Sequence, residues 1–275
     1  MSQNAVSPMV AVIIATRNAA QGLALTLGSI AAQSCKDDIE VVVQDSESVD
    51  HTLDVARSYA AQLPLLRAAS APDDGVYDAW LKVIPSVRAR WILFLGAGDT
   101  LAHPETMQTV ISQLEQCPDD KYFALGQVTI LSAERELLHS ISNDIDKMAA
   151  VLPYYNPIYH AGVFTSSKFL KAHPFDASFK ILGDYDFFCR HWGNGERAWQ
   201  LHCLIAEAPL GGLSNSPKFR TCHDAEIKRI RKGYFPRQYW RSRLYQACAG
   251  LLPKGCRQLV PASVKQMLKK ILKLA

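Results

Sequence analysis

Polar tips close three short, largely apolar runs in the first hundred residues. Thr16 and Arg17 follow Val10–Ala15, Asp45 follows Ile39–Val43 and Gln44, and Asp99 follows Trp91–Leu95 through Gly96-Ala97-Gly98. A carboxylate at such a tip can hold a hard divalent cation beside a phosphate. Small neighbours let a ligand come close to the backbone, and oxygen is the ligand atom that Mg²⁺ prefers. One Gly-rich turn after a strand is ordinarily just a turn, so Asp99 alone says little. A second acidic cluster, Asp184-Tyr185-Asp186 with Arg190, precedes a helical stripe of Phe187, Phe188, His191 and Trp192. An Asp in that position is commonly a helix N-cap.

The elements that must position these groups follow from periodicity. Runs of five or six apolar, β-branched or aromatic residues are too short for helices and read as strands buried on both faces. Between them, residues 20–33, Thr52–Leu63, Val76–Ile84 and 105–116 carry apolar residues at helical spacing, with Pro85 ending or kinking the third. A short strand near Leu65 completes the first half. Strands alternating with helices of this length predict βαβ units and a mostly parallel sheet flanked by helices. Parallel strands put their carboxyl tips on one edge, so Thr16, Arg17, Asp45 and Asp99 can meet one ligand. Later segments predict a strand over Tyr122–Leu131 bent at Gly126, another over Tyr159–Phe164, and a short helix over Ser166–His173.

Composition narrows the class. The chain has 275 residues, 48% apolar and 20% charged, which is ordinary for a globular protein with a sizeable core. Its net charge of +4 hides an asymmetry: residues 1–217 carry 15 Lys and Arg against 24 Asp and Glu, and residues 218–275 carry 15 against 2. The seven cysteines are scattered without a C-x-x-C pair, which predicts neither a disulfide framework nor a structural zinc site and suits a reducing compartment. No apolar run reaches spanning length, and the first residues lack the pattern of a secretory signal. Neither G-x-G-x-x-G nor G-x-x-x-x-G-K-[ST] follows the first strand, which disfavours a dinucleotide dehydrogenase and a P-loop NTPase.

Five stretches taken in order resemble family 2 glycosyltransferases of the GT-A fold, particularly those that build bacterial surface polysaccharides. They are Val12–Asn18; Val41–Ser46 with Asp50-His51-Thr52; Pro72-Asp73-Asp74-Gly75-Val76-Tyr77-Asp78-Ala79-Trp80; Trp91–Thr100; and Ile181–Asp186 with Arg190. The resemblance covers about residues 9–215. The resemblance implies an inverting transferase that moves a sugar from a nucleotide-diphosphate donor to a hydroxyl of a glycan or lipid-linked glycan. It implies that Asp45 accepts hydrogen bonds from the base, framed by Thr16 and Arg17, and that Asp73 and Asp78 shape the donor site. Asp99 would bind Mg²⁺ or Mn²⁺, with His223 completing the metal shell. Asp184 would be the general base, its pKa lifted by burial and by Asp186, while His160 and Asp186 face the acceptor. Three departures stand out: Gly96 and Gly98 replace carboxylates, Leu81 replaces an Asn, and Glu47-Ser48-Val49 replaces a Gly-containing turn.

The sequence therefore divides into a GT-A catalytic domain over 1–217 and a basic, amphipathic helical tail over 218–275. In the tail, Tyr239–Leu252 and Ala262–Ala275 place apolar residues on one stripe and Lys and Arg beside it. Such helices lie on anionic membrane surfaces, which predicts a cytoplasmic protein peripheral to the membrane. The alternative is a helix packed on the catalytic domain with solvated lysines. No zinc-finger, RNP or helix-turn-helix pattern accompanies the charge, so nucleic acid is not an expected partner. A sugar nucleotidyltransferase would need a Gly-rich basic loop after the first strand, which Ala15–Gln21 does not supply. A non-catalytic nucleotide- or carbohydrate-binding module stays open because the metal motif holds a single carboxylate.

Overall fold

The computed structural model describes residues 7–193, 195–211 and 217–241. In chain order its first half runs β1 (Val10–Thr16), α1 (Ala20–Ala31), β2 (Ile39–Asp45), α2 (Thr52–Ser58), β3 (Leu66–Ser70), α3 (Val76–Val83), β4 (Trp91–Gly96), β5 (Thr100–Leu101) and α4 (Thr106–Leu114). The second half runs β6 (Phe123–Leu131), β7 (Leu137–Ile141), α5 (Ile145–Val151), β8 (Val163–Ser166), α6 (Ser167–Ala172), α7 (Gly183–His191), β9 (Ala198–Pro209) and α8 (Arg220–Tyr234).

The strands form one sheet in the order β3-β2-β1-β4-β8-β6-β9-β5, with β7 paired to β6 outside that path. The first half is parallel, as expected: β1 pairs with β2 and β4, and β2 with β3. Beyond β4 the sheet is mixed, because β8 runs antiparallel to both β4 and β6. Two antiparallel steps restore direction, so β6 ends at the same edge as β4. The strand β9 is parallel to β6 and ends there too.

Alternation along the strands sorts the core into two layers. Ala11, Ile13, Ile92, Phe94 and Phe123 face one layer with Trp80, Tyr185 and Phe187. Val10, Val12, Ile14, Leu93 and Leu95 face the other with Leu23, Leu27 and Ile30 of α1 and Val110 of α4. Covering both faces is what makes β1 and β4 read as unbroken apolar runs, whereas β2 carries one buried charge, Glu40, paired with Arg67.

Several expectations shift in detail. The α3 helix ends at Val83 in a short 3₁₀ turn that contains Pro85. The α2 helix stops at Ser58, and the chain reaches Leu63 through turns. The expected bend at Gly126 is a register shift against β9 between Leu125 and Gln127. The strand expected from Tyr159 begins only at Val163. Asn143 Oδ1 takes the Tyr159 N–H (3.2 Å), and a 3₁₀ turn over His160–Gly162 intervenes. The strands β7 and β9 have no counterpart in the sequence reading.

The helix α8, on the tail side of residue 217, packs against the catalytic body and buries Glu226 and Ile230. Most of the expected Tyr239–Leu252 helix and all of the expected Ala262–Ala275 helix lie outside the described residues. Among the described residues the cysteines form no disulfide, and no helix is long and apolar enough to cross a membrane.

Candidate functional site

The parallel register brings the strand tips together as the sequence predicts. Thr16 lies directly opposite Asp45, and Ala15 opposite Gly96. Asp45 is 1% exposed, and its carboxylate accepts Thr16 Oγ1 (3.2 Å), Ser48 Oγ (2.5 Å), the Ser48 N–H (3.0 Å) and Ser70 Oγ (2.7 Å). Burial pushes its pKa up, but the hydrogen bonds from Ser48, Ser70 and Thr16 outweigh it and hold the pKa below the usual value. A carboxylate offers about four lone-pair sites, and here all are taken by the chain itself. Contact with a base therefore requires Ser48 or Ser70 to give way. The turn that positions Ser48 has Glu47 at φ +47°, so a side chain occupies the left-handed conformation where a glycine is more usual. Arg17 is exposed at the mouth of this corner.

The loop before α3 is braced by the two carboxylates assigned to the donor site. Asp73 Oδ1 accepts the Gly75 N–H (3.0 Å). Asp78 Oδ2 accepts the Asp74 N–H (3.0 Å) and Lys82 Nζ (2.7 Å), and Lys82 also reaches Pro72 O (2.6 Å). The Lys82 contact, then the Asp74 N–H, holds the Asp78 pKa below its usual value. Both side chains thus spend hydrogen bonds on shaping the loop.

The loop after β4 turns through Gly98 at φ +116°, which a residue with a Cβ rarely adopts. Asp99 is 8% exposed, and its Oδ2 accepts the Gly96 N–H at 2.7 Å. Burial raises its pKa against the opposing charges of His160 and Arg135 and the Gly96 hydrogen bond. Among the described residues no hydrogen bond is made to Oδ1, and no three His, Cys, Asp or Glu side chains cluster to hold a metal. This donor set suits a cation only if phosphate oxygens supply other ligands, which is how Mg²⁺ is commonly held. The sequence reading adds His223 to this set. That residue stands in the first turn of α8, half-buried, with Nδ1 3.5 Å from Asp224.

Asp184 lies in the first turn of α7 but does not cap it; the N-cap position is Leu182, which has no side-chain cap. Glu226, 46 to 44 residues further on in α8, supplies the cap instead. Its carboxylate accepts the backbone N–H groups of Lys180 (2.6 Å), Ile181 (3.1 Å) and Leu182 (2.8 Å). That leaves the Asp184 carboxylate for other partners: Tyr77 Oη (3.1 Å) and the Tyr185 N–H (2.8 Å) on Oδ1, and Asn156 Nδ2 (3.3 Å) on Oδ2. Gly183 is required for this approach, since a Cβ there would lie 2.9 Å from the Tyr77 ring. Protein atoms enclose most of Asp184, and burial raises its pKa against His160 and these hydrogen bonds.

Asp186, expected both to raise that pKa and to meet the acceptor, is turned elsewhere. It is 3% exposed, accepting Arg190 Nε (2.8 Å) and Tyr234 Oη (2.8 Å). Two residues along a helix point to different faces. His160 belongs with the site: its charge acts on both Asp99 and Asp184, and its ring stacks on Tyr159 at 5.4 Å between centroids. Both carboxylates also help burial raise the Tyr159 pKa. Asp99, Asp184, His160 and Tyr159 therefore lie within electrostatic reach of one another at the carboxyl edge of the sheet.

Sequence reasoning missed Tyr77, Asn156, Tyr159, Glu226 and Arg135. The guanidinium of Arg135 reaches Gly98 O (3.4 Å) and Thr100 Oγ1 (2.8 Å). Only Tyr77 had a signal, as the neighbour of Asp78 in a stretch already singled out.

Comparison with known proteins agrees with this geometry. The family described as Glycosyl transferase family 2 matches residues 11–160. The PGL/p-HBAD biosynthesis glycosyltransferase of Mycobacterium bovis is 32% identical over 215 residues, covering 76% of this chain and 80% of that protein. The crystal structure of S. aureus TarS 1–349 in complex with UDP superposes with a TM-score of 0.61 at 17% identity, over 90% of this chain and 76% of that one. The mannosyltransferase PcManGT from Pyrobaculum calidifontis, in complex with GDP-Man and Mn²⁺, gives 0.54 at 19% identity, over 98% and 86%. At these identities the two structures establish a shared fold.

Proposed function

The chain belongs to glycosyl transferase family 2 and moves a sugar from a nucleotide-sugar donor; from that premise we propose that the transfer inverts the anomeric centre, with Asp184 as general base. One observation supports the reading: Asp184, half-buried and held by Tyr77 and Asn156, lies close enough to His160 for that charge to act on it, as it does on Asp99. Asp184 takes the proton of the acceptor hydroxyl as that oxygen bonds to the anomeric carbon. The bond from this carbon to the donor phosphate breaks on the opposite face, and its electron pair leaves with the nucleoside diphosphate. A carboxylate with a raised pKa is a better match for a hydroxyl proton than a fully solvated one. Tyr77 and Asn156 hold its two oxygens in place.

Thr16, Arg17 and Asp45 form the nucleotide corner, and Asp73 and Asp78 shape the loop beside it. Asp99 holds Mg²⁺ or Mn²⁺ together with the donor diphosphate. When bound, the cation offsets negative charge on the departing diphosphate. His160 lines the acceptor side. We take a uridine donor first, as in the TarS complexes with UDP and UDP-GlcNAc, and guanosine second. The acceptor is a glycan or lipid-linked glycan.

A thermal-shift screen of UDP, GDP, TDP and CDP, with and without Mn²⁺, tests the donor site. A metal-dependent shift for one nucleotide is expected. No shift with any of them at millimolar ligand would favour a binding module without turnover.

The basic extension supports membrane-surface association. Lys228, Lys232, Arg237 and Arg241 are exposed, and Trp240 is 59% exposed with Lys232 Nζ 5.9 Å from its ring centroid. Each near-surface cation contributes about 1 kcal/mol at an anionic bilayer. Co-sedimentation with phosphatidylserine vesicles at low salt, lost at high salt, is the expected behaviour. Equal recovery with neutral vesicles would count against it.

A further inference from the structure

The hairpin between β6 and β7 turns at the ligand edge of the sheet, because β6, separated from β4 by β8, runs in the same direction as β4. At its tip, Arg135 adopts φ +63°. A left-handed conformation costs a residue with a Cβ about 1–2 kcal/mol, so the position would more comfortably hold glycine. Local bonds fix it there: the Arg135 N–H donates to Ser132 O (3.1 Å), and the Ser132 N–H to Glu136 O (2.8 Å).

From that tip the side chain reaches back to the loop after β4. One guanidinium nitrogen donates to Gly98 O (3.4 Å) and the other to Thr100 Oγ1 (2.8 Å), the residues on either side of Asp99. The guanidinium thus straddles Asp99, with the Glu207 carboxylate 3.9 Å away on β9. Two of the five donors of an arginine fork are used in these contacts. The charge has one acidic neighbour, Glu207, at the outer limit of an ion pair, and the fork keeps donors beyond the two spent on Gly98 and Thr100.

The composition of the loop explains what the charge is for. With glycine at 96 and 98, Asp99 is its only carboxylate, and a cation held by one carboxylate depends on the donor phosphates for its remaining ligands. A nucleoside diphosphate gains charge as it departs, and arginine is the side chain best shaped to meet phosphate oxygens.

We propose that Arg135 is a second cation of the donor site, binding the diphosphate beside Asp99 and stabilising it as the bond to the anomeric carbon breaks. The arginine keeps its proton throughout; the acceptor proton goes to Asp184 and the electron pair to the phosphate oxygen. This rests on the donor-site reading above and adds to it a cation that does not depend on bound metal.

The test is calorimetric titration of the full chain with UDP and GDP, in chelator and in Mg²⁺, with uridine and guanosine as competitors. Wild type is expected to retain measurable diphosphate affinity in chelator. Arg135→Ala should lose about ten- to a hundred-fold of it, the range for a charge-assisted contact, with nucleoside affinity unchanged. Arg135→Lys should recover part of the loss, and Mg²⁺ should narrow the gap between variants. If Arg135→Ala folds poorly, Arg135→Lys and Arg135→Gln decide, because Gln keeps a polar chain but no charge. An unchanged ratio of diphosphate to nucleoside affinity in the uncharged variants overturns the proposal. So does an equal loss of both ligands, which would mark a purely structural role. Wild type binding neither diphosphate under any condition would instead remove the donor-site reading, and this inference with it.

Discussion

The phenolic hydroxyl of Tyr77 donates to Oδ1 of Asp184 at 3.1 Å, across 107 residues of sequence. The same hydroxyl lies 2.9 Å from Ile181 O, so the α3 helix orients the start of α7 and the carboxylate it carries. Burial and the Asp184 charge keep the Tyr77 pKa well above its usual value, so the ring remains a donor throughout the working range. The hydrogen bond also lowers the Asp184 pKa against the pull of burial.

Tyr77→Phe should therefore raise the Asp184 pKa further. The acid limb of the kcat profile is expected to move to higher pH, with activity reduced severalfold on that limb and recovering as pH rises. Thermal stability should fall by about 1 kcal/mol for the lost bond. A kcat profile that does not move would deny the contact any influence on the base.

Asp184→Asn should bind the nucleotide as wild type does and lose transfer by about 10²–10⁴-fold, the usual contribution of a positioned base. Its stability should move the other way. A carboxylate whose folded pKa is raised contributes stability that is fully present below its unfolded pKa and lost as pH rises through the folded value. The amide suffers no such loss. Asp184→Asn is thus expected to melt above wild type at neutral pH, the difference closing in acid. Melting curves at several pH values check the sign.

The parts of this fold that declare themselves in the sequence are those buried on both faces. The strands β1 and β4 are continuous apolar runs because helices cover each side, β2 is broken only by Glu40, which pairs with Arg67, and the polar tips of all three stand out by contrast. The strand β9 mixes buried, half-exposed and exposed positions without regular alternation and slips register against β6, so no clean period marks it. The site divides in the same way. Thr16, Asp45 and Asp99 are legible as strand ends. Tyr77, Glu226 and Arg135 reach the site from 107, 44 and 37 residues away, by folding alone. Asp186 shows the limit of reading adjacency: it is two residues from Asp184 yet serves Arg190 and Tyr234 on another face of the helix.

Asp45 makes a prediction opposite in sign to Asp184. Its folded pKa is lowered, so its contribution is present above the unfolded carboxylate value and disappears as pH falls through the folded one. Asp45→Asn retains one acceptor oxygen where four donors converge, and should cost about 1–3 kcal/mol at neutral pH. Because acid removes the wild-type advantage, the two proteins should converge in stability as pH drops. Urea titrations at neutral and acid pH measure both parts, and a constant difference would contradict the assignment.

Glu226 tests whether α8 is part of the catalytic body. Its carboxylate satisfies three consecutive backbone N–H groups in the segment leading into α7, the last of them at the N-cap Leu182. Glu226→Ala leaves them in a buried setting without that partner and should cost about 2–4 kcal/mol. Asp184 follows the capped segment by two residues, so a loosened helix start should lower kcat while the KM for donor stays near wild type. Glu226→Gln keeps one acceptor and should fall between the two in both stability and kcat. If Glu226→Ala unfolds at the same urea concentration as wild type, the cap contributes nothing measurable. If stability falls but kcat holds, Glu226 braces the fold without positioning the base.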